Sequence, residues 1–350
     1  MTPYIFRFFC FLIISTAYSF GVAYGQNAYK NIPLPKNIND VNEEFSGMAM
    51  YNGRVYLEPQ YGSHKETKLN GDFYLYSLLA DSIGRVIDGK DTVLTRYRTI
   101  SVKNLDKLPD SVKTYYEGFE AITIVNNMAY LSIETNDTYD YCFLLQGKLD
   151  VEKNEIIINP LHFATLKRPI HVNNAGFESV SWLPAEKKLL AYYEYNGEPK
   201  GGQGYLIDPD FTKAPEQIAT PQLYFRITDI AVTKDDKIYG INYFWNGDYN
   251  TYLNNGVLKN EEEKIKQSIS DLKAGIDADA AYLKKNSYGR IVMLNSRTDK
   301  EWKQVTSAFP IPKNNWEGIA LYRKGALIIT DANRSSKQLS TFGYIEFPEN

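Results

Sequence analysis

The chain has 350 residues, with 39 basic and 42 acidic side chains and a formal net charge of −3 at pH 7. This near balance excludes the strongly basic surface with which proteins bind nucleic acid. Tyrosine and phenylalanine are abundant, with 28 and 17 copies, and these aromatic residues favour β-strands over helices.

The first 25 residues have the pattern of a secretory signal peptide. Arg7 precedes an apolar run over residues 8–14, and the segment ends on small residues near Gly25. Beyond this leader the sequence predicts no membrane-spanning segment. Cys142 is the one cysteine that follows the leader, so an intrachain disulfide is impossible and we interpret the thiol as a small apolar core residue. A secreted or periplasmic protein is expected.

Five short hairpins repeat along the remaining chain with the same order of residue types. In each hairpin a large apolar residue precedes a key position near the start of the first strand, and an acid or amide closes the second strand. The apolar residues before the key positions are Phe45, Phe119, Phe177, Ile227 and Trp316. Two further strand-like runs follow each hairpin except the last, which is followed by one.

Five repeats of four strands predict an all-β fold, a five-bladed β-propeller. The fifth repeat lacks a fourth strand, and residues 29–34 can supply it beside residues 340–347. This pairing of the two ends of the mature chain closes the ring and removes an open sheet edge. We therefore expect a single monomeric domain over residues 26–350.

One segment interrupts the repeat inside the fourth blade. Asn260 is a good helix N-cap, the acids that follow it suit a first turn, and Gly275 suits a helix end. The pattern predicts a helical insertion at about residues 258–284, between the second and third strands of that blade. Such a connection lies beside the mouth of a propeller channel, where it is either a rim or a solvated decoration.

The key positions are occupied by Ser46, Glu120, Glu178, Thr228 and Glu317. The first strand of each propeller blade lines the central channel, so these side chains are expected to converge near one axis. Three carboxylates in a narrow, poorly solvated space repel each other strongly unless a cation neutralises them. Carboxylate and hydroxyl oxygens suit Ca²⁺, whereas the three histidines are too scattered to bind zinc. The five key residues are therefore the predicted calcium ligands. The alternative is that the carboxylates are hydrogen-bonded to strand amides or solvated in a wet channel.

A second set of polar residues closes the second strand of each hairpin, at the predicted mouth of the channel. The acids in this set are Glu58, Glu134, Glu194 and Asp331. They are candidate catalytic residues, because one carboxylate can act as general base on water while another donates a proton. The fourth hairpin has Asn242 at this position, and Asn242, Arg226 and Trp245 are the candidates for binding substrate.

The order of the key residues resembles the ring of the soluble calcium-activated nucleotidases, or apyrases. That family has five-bladed propellers in which Ser, Glu, Glu, Ser and Glu surround a central ion. The segments Phe-Ser-Gly-Met-Ala at 45–49, Glu-Ser-Val-Ser-Trp at 178–182 and Trp-Glu-Gly-Ile at 316–319 are similar to the corresponding segments of the family. The hairpin starts are also similar, more loosely, to those of phytase-like and esterase-like propellers.

This resemblance implies a calcium ring, but it does not extend to the residues that bind phosphate. The nucleotidases have basic residues where the second strands of blades three and four end, whereas this chain has Glu194 and Asn242. A mouth surrounded by acids is poorly suited to a polyphosphate unless further cations mediate its binding. Nucleotide hydrolysis is therefore not expected from the resemblance alone.

Two functions of different class remain open from the residues. The first is a secreted, calcium-dependent hydrolase that cleaves a phosphoester, lactone or glycoside bond in a small-molecule or glycan substrate at the mouth. The second is a non-catalytic propeller that binds a glycan or a protein, in which the ion only holds the blades together. Neither function involves nucleic acid.

Overall fold

The structure is a computed structural model that describes residues 29–40, 42–61, 69, 73–172, 174–196, 202–221, 223, 225–248, 287–306, 315–332 and 339–348. The predicted signal peptide and the predicted helical insertion lie outside these residues. The described part of the chain is mostly β-structure, as the composition predicts. None of the helices within it has the length and apolar character needed to cross a bilayer.

The twenty strands in the described residues form five four-stranded antiparallel units. Unit 1 consists of β2 (Phe45–Tyr51), β3 (Arg54–Pro59), β4 (Phe73–Leu79) and β5 (Tyr97–Lys103). Unit 2 consists of β6 (Tyr116–Val125), β7 (Met128–Thr135), β8 (Tyr141–Asp150) and β9 (Glu155–Lys167). Unit 3 consists of β10 (Ser179–Leu183), β11 (Lys188–Tyr192), β12 (Gln203–Ile207) and β13 (Glu216–Ala219).

The last two units complete the chain and close it. Unit 4 consists of β14 (Arg226–Val232), β15 (Ile238–Phe244), β16 (Tyr288–Leu294) and β17 (Lys303–Gln304). Unit 5 consists of β18 (Asn315–Tyr322), β19 (Gly325–Asp331), β20 (Phe342–Glu346) and the N-terminal β1 (Tyr29–Asn31). Strand β1 pairs antiparallel with β20, so the predicted closure by the N-terminal strand is confirmed.

The first strands of the five units contact one another in a closed cycle. Strand β2 contacts β6, β6 contacts β10, β10 contacts β14, β14 contacts β18, and β18 contacts β2. Four-stranded sheets arranged in a cycle around their first strands form a β-propeller. The start of every first strand therefore lies at the same end of one central channel.

Two features of the fold were not predicted from the sequence. Units 1 and 2 join into one eight-stranded sheet, because β5 pairs in parallel with the long β9. Two short α-helices flank β5 in the sequence: α1 (Ala80–Ile87) precedes it and α2 (Asp110–Tyr115) follows it. Short 3-10 turns occur at Lys36–Ile38, Leu105–Lys107 and Asn246–Asp248.

The large apolar residue before each key position is buried in all five units, with at most 1% of its surface exposed. Phe119 of unit 2, for example, packs against Phe73 of unit 1 with ring centroids 4.2 Å apart. Burial of one such side chain contributes about 1.5–3 kcal/mol. These residues therefore hold adjacent units together directly beside the key positions.

A β-bulge releases the key residue from the regular pairing in four of the five units. In each of these units the register between the first and second strands shifts, because one residue has no partner across the hairpin. These residues are Ser46, Glu120, Thr228 and Glu317. In unit 3 the first strand begins one residue after Glu178. Bulges redirect side chains at strand ends. The same local distortion thus presents the key side chains to the channel in each of these four units.

Candidate metal centre

Six carboxyl groups gather where the first strands begin, and three of them come from key positions while three come from the ends of second strands. They interact electrostatically with one another, because the pKa of each key-position glutamate is raised by at least two other members of the group. The members of this acid cluster are Glu120, Glu134, Glu178, Glu194, Glu317 and Asp331.

Three carboxyls of the acid cluster are close enough to bind one ion. One carboxylate oxygen from each of Glu120, Glu134 and Glu178 lies within 4.8 Å of the other two. Oxygens on opposite sides of a bound Ca²⁺ are about 5 Å apart, so this spacing fits a single ion. Glu134 Oε1 and Glu178 Oε2 are buried and have no hydrogen-bond partner among the described residues. Oxygens of this kind need a proton or a cation.

Burial and mutual repulsion raise the pKa of these carboxyls. The pKa of Glu134 rises to about 8, first through burial and then through the charge of Glu194. Burial followed by the charge of Glu134 raises the pKa of Glu120. Burial followed by the charge of Glu194 raises the pKa of Glu178 in the same way. Without a cation the site therefore retains protons near neutral pH, and a divalent cation would have to displace them.

Arg226 is the counter-ion of Glu194. Its Nη1 atom lies 2.6 Å from both carboxylate oxygens of Glu194 and also donates to the backbone carbonyl of Asn174. The arginine is 6% exposed and the glutamate 2%. This charge-assisted contact favours an ionised Glu194. Arg226, which the sequence suggested as a substrate-binding residue, is thus already engaged inside the cluster.

A second buried arginine in the cluster was missed by the sequence analysis. Arg168 Nη2 lies 4.0 Å from Glu134 Oε1 and donates to the backbone carbonyl of Thr135, while its Nε donates to Cys142 Sγ at 3.4 Å. Arg168 follows β9, outside the repeated hairpins, so the repeat contains no signal for it. Cys142 is fully buried, as predicted for a small core residue, and burial raises the pKa of its thiol.

The residues that close the second strands do not all occupy equivalent places. Glu134, Glu194 and Asp331 each pair with the residue two positions before the key residue of their own unit. Glu58 instead pairs with Gly47, one position after the key residue. It therefore lies two residues deeper along the channel, or about 7 Å. The expectation that these four acids share one level is wrong for Glu58.

Gln60 occupies the place in unit 1 that the sequence analysis assigned to Glu58. Its backbone N–H donates to the carbonyl of Glu44, two positions before the key residue, and its side-chain Nε2 donates to Glu120 Oε1 at 2.7 Å. The spacing contains a signal for this residue. Units 2 and 5 separate the key and closing residues by 14 positions, and the same count from Ser46 ends on Gln60.

Asn242 is displaced by one residue relative to the equivalent acids. It pairs with Ile227, because the turn at residues 233–237 is longer than the two-residue turns of units 1, 2 and 5. A one-residue shift moves a side chain to the opposite face of a sheet. Asn242 accordingly accepts from Arg290 Nε at 2.9 Å and donates to the carbonyl of Arg226 at 3.1 Å. Trp245 lies just beyond β15 and is 51% exposed.

The hydroxyl groups at the key positions join neighbouring units. Ser46 Oγ donates to the carbonyl of Phe119 at 2.6 Å, and Thr228 Oγ1 donates to the carbonyl of Trp316 at 2.5 Å. In both cases the acceptor precedes the key residue of the neighbouring unit. The two hydroxyl protons are therefore used between units, and only oxygen lone pairs remain to interact with an ion.

A second pair of acids, Glu58 and Asp229, is buried deeper in the channel. Asp229 accepts hydrogen bonds from three backbone amides, including those of Ile319 at 2.8 Å and of Met48. Glu58 is fully buried, and neither of its carboxyl oxygens has a hydrogen-bond partner among the described residues. Gly47 leaves space for it, since a Cβ there would lie 2.7 Å from Oε2. Burial and the charge of Asp229 raise the pKa of Glu58 well above its usual range.

Known structures resemble this chain only distantly. The chain matches no protein-family model and no curated protein. Among solved structures it is similar to the GH43_1 enzyme from Xanthomonas citri complexed with xylose, with 9% identity over 91% of this chain and 90% of that chain, and a TM-score of 0.49. It is also similar to the α-L-arabinofuranosidase CtGH43 from Clostridium thermocellum, with 12% identity, coverage of 82% and 81%, and a TM-score of 0.42.

A third similar structure is the extracellular domain of a protein described as a one-component system from B. thetaiotaomicron. The identity is 9% and the TM-score 0.35, and the chain covers 85% of its own length but 27% of the other. At these identities and TM-scores the likenesses carry no information about chemistry. These structures do not support the predicted resemblance to nucleotidases or to phytase-like and esterase-like propellers.

Replacing Arg226 with Met should destabilise the protein strongly, because Glu194 would lose its buried counter-ion. Loss of one partner from a buried ion pair costs about 3–5 kcal/mol. Arg323→Met is the matched control, since Arg323 contacts Asp88 at the same distance of 2.6 Å but both side chains are more than one-third exposed. Exposed pairs contribute about 0–1 kcal/mol. Thermal unfolding of both variants checks this prediction, and equal losses would contradict it.

Replacing Glu58 with Gln should change how stability depends on pH. A carboxyl with a raised pKa binds its proton more tightly in the folded protein, so the wild type loses stability as the pH rises above about 4.3, the pKa of an unfolded glutamate. The variant lacks this loss. Its unfolding free energy relative to wild type should therefore increase from pH 5 to pH 9, as measured by urea unfolding. Glu346→Gln, at an exposed position, is the control. A difference independent of pH would show that Glu58 is ionised throughout.

Proposed function

We propose that the chain is a secreted or periplasmic five-bladed propeller hydrolase that binds Ca²⁺ in the acid cluster and cleaves an uncharged substrate. The carrying observation is the close approach of Glu120, Glu134 and Glu178, whose oxygens meet within 4.8 Å in a buried site. Two of these residues also have a buried oxygen without a hydrogen-bond partner in the described part of the chain. The five units of the fold correspond to the five blades in this proposal.

The ligand set favours a hard cation, because the three central groups are all carboxylates. Glu134, considered as a catalytic residue from the sequence, is a calcium ligand in this proposal. Glu317 and the hydroxyl oxygens of Ser46 and Thr228 complete the predicted ring as further or water-mediated ligands. The lone pairs of both hydroxyls remain available, since their protons are donated to backbone carbonyls.

The charge balance of the cluster favours a neutral substrate over a phosphoester. In the described part of the site, Arg226 contacts Glu194 and Arg168 is held by Thr135, Cys142 and Glu134. Two engaged arginines cannot attract a phosphate past six carboxyl groups. A glycoside or a lactone carries no charge at the bond that is cleaved, so these are the substrate classes we propose.

The chain's own residues supply two complementary proton-transfer groups. A bound cation would polarise the substrate or lower the pKa of a water molecule. Glu194, ionised beside Arg226, is suited to accept a proton from water. Asp331, whose charge acts on the neighbouring Glu317, is the carboxyl that we propose as the proton donor to the leaving group. Of the four predicted catalytic acids, Glu194 and Asp331 keep that role.

A non-catalytic calcium site is the second candidate, and one observation favours it. Glu120, Glu134 and Glu178 are each 5% exposed or less, so an ion bound between them would be enclosed by the chain. Since two of these residues belong to unit 2 and the third to unit 3, the ion would fix one unit against the next. The protein would then bind a glycan or a protein partner without cleaving it.

Calcium should stabilise the folded protein, and a chelator should remove that stabilisation. At a free concentration some hundreds of times the dissociation constant, linkage predicts about 3–4 kcal/mol. Glu178→Gln should remove most of this gain because it deletes a central ligand. Glu58→Gln should retain it, since Glu58 lies deeper in the channel. Thermal unfolding with calcium and with chelator makes the comparison, and an unchanged midpoint for the wild type would exclude a tight ion site.

Hydrolysis should be detectable with uncharged substrates and should depend on the same ion. The assay compares 4-nitrophenyl glycosides, dihydrocoumarin and 4-nitrophenyl phosphate, each with calcium and with chelator. We expect chelator-sensitive cleavage of a glycoside or the lactone and none of the phosphate, with loss of activity in Glu194→Gln. Calcium-dependent stability without turnover of any of the substrates would favour the binding module, and cleavage of the phosphate alone would contradict the charge argument.

A further inference from the structure

A cavity of about 540 Å³ lies at the end of the channel opposite to the acid cluster. All five first strands line it, and the lining begins two positions after the key residue of units 1, 2, 3, 4 and 5. Met48 in β2 and Ile319 in β18 are examples of these innermost lining residues. The volume falls within the range of about 300–1,000 Å³ that is typical of small-molecule sites.

The repeat itself makes this cavity. The third position after each key residue carries a small side chain and lines the cavity in every unit, as Ala49, Thr123, Ser181, Ala231 and Ala320. Because the five first strands contact one another in a cycle, larger side chains at this position would fill the space on the axis. The cavity thus depends on five independent positions rather than on a single packing defect.

The inner end of the cavity is formed around Asp229. The amides of Met48, Ile230 and Ile319 donate to its carboxylate, and these three residues also line the cavity. Asp229 therefore lies between the cavity and the acid cluster. A ligand in the cavity would occupy a site separate from the proposed metal centre, and an anionic ligand would be disfavoured by the carboxylate.

Two hydroxyl groups provide hydrogen bonds within walls that are otherwise mainly apolar. Thr123 of unit 2 and Ser181 of unit 3 are each 9% exposed, and neither side chain bonds to another described residue. Trp182 and Tyr51 add aromatic surface to the lining. Of the lining residues Lys234 alone is charged, and it is exposed. Mainly apolar walls with a few polar groups are characteristic of sites that bind organic ligands.

We propose that this cavity binds an uncharged, mainly apolar ring compound that carries one hydrogen-bonding oxygen. Its ring packs between the small side chains and beside the aromatic ones, which explains why five positions stay small. Its oxygen bonds to Thr123 and Ser181, whose hydroxyls line the cavity and have no other partner within the described protein. Anionic analogues bind less well because the carboxylate of Asp229, at the inner end of the cavity, repels them.

Three probes of similar ring size test the assignment: 2-naphthol, naphthalene and 2-naphthalenesulfonate. Saturation-transfer NMR and probe fluorescence measure their dissociation constants. We expect saturable binding of 2-naphthol and at least tenfold weaker binding of the sulfonate. Thr123→Val should weaken 2-naphthol about 2- to 10-fold through loss of one hydrogen bond, while naphthalene is unaffected.

Cavity-filling variants supply the second arm of the test. Ala320→Leu and Ala231→Leu fill the cavity from units 5 and 4, and each should weaken 2-naphthol at least tenfold. Circular dichroism shows whether each variant is folded. If Ala320→Leu does not fold, Ala231→Leu is used in its place. Ala214→Leu, the same substitution at an exposed position outside the lining, is the matched control and should leave 2-naphthol binding unchanged. Absence of saturable binding to the wild type, retained binding in a folded filling variant, or equal binding of the sulfonate would overturn the proposal.

Discussion

Repulsion among buried carboxyl groups is the constraint on which the site depends. Six carboxyl groups meet at one end of the channel, and five of them, all but Glu317, are buried away from the solvent that would screen their charges. Two arginines, Arg168 and Arg226, lie among them and cannot neutralise the whole set. The remaining charge must be removed by protons or by a cation. The raised pKa values of Glu120, Glu134 and Glu178 describe the first solution, and the calcium site that we propose is the second.

The fold prevents the carboxyls from moving apart. Each key residue follows a large buried residue that packs between adjacent units, and in four of the five units a bulge at the key position presents the side chain to the channel. Pairing of β1 with β20 closes the ring, so no unit can shift without disturbing its neighbours. The resulting cluster is held by the scaffold before any ion binds. Preorganised ligands of this kind reduce the ordering cost of binding.

Much of this arrangement could be predicted from the sequence, because the hairpins repeat. The pattern predicted the closing strand β1, the buried residue before each key position, and two of the three carboxyls that meet most closely, Glu120 and Glu178. These predictions depend on alternation along a strand, which the sequence specifies locally. The small residues at the third position after the key residue repeat in the same way, but only the closed ring of first strands shows that they line one cavity.

The predictions that failed depend on register and on residues outside the repeat. Turn length changes which residue stands opposite which, so Glu58 lies deeper than Glu134 and Asn242 faces another side of its sheet. Arg168 reaches the cluster from the end of β9, a placement that follows only from the stacking of units. Pairing of β5 with β9 likewise depends on how far two separate strands extend. None of these features is encoded in a single hairpin.

A crystal structure of the protein grown with calcium, with anomalous data collected at long wavelength, tests the central claim most directly. The account predicts one anomalous peak between Glu120, Glu134 and Glu178, with a carboxylate oxygen of each residue at about 2.3–2.6 Å from it. Absence of the peak, with these carboxyls bonded to water or to each other instead, would contradict the account. The acids would then be neutralised by protons alone.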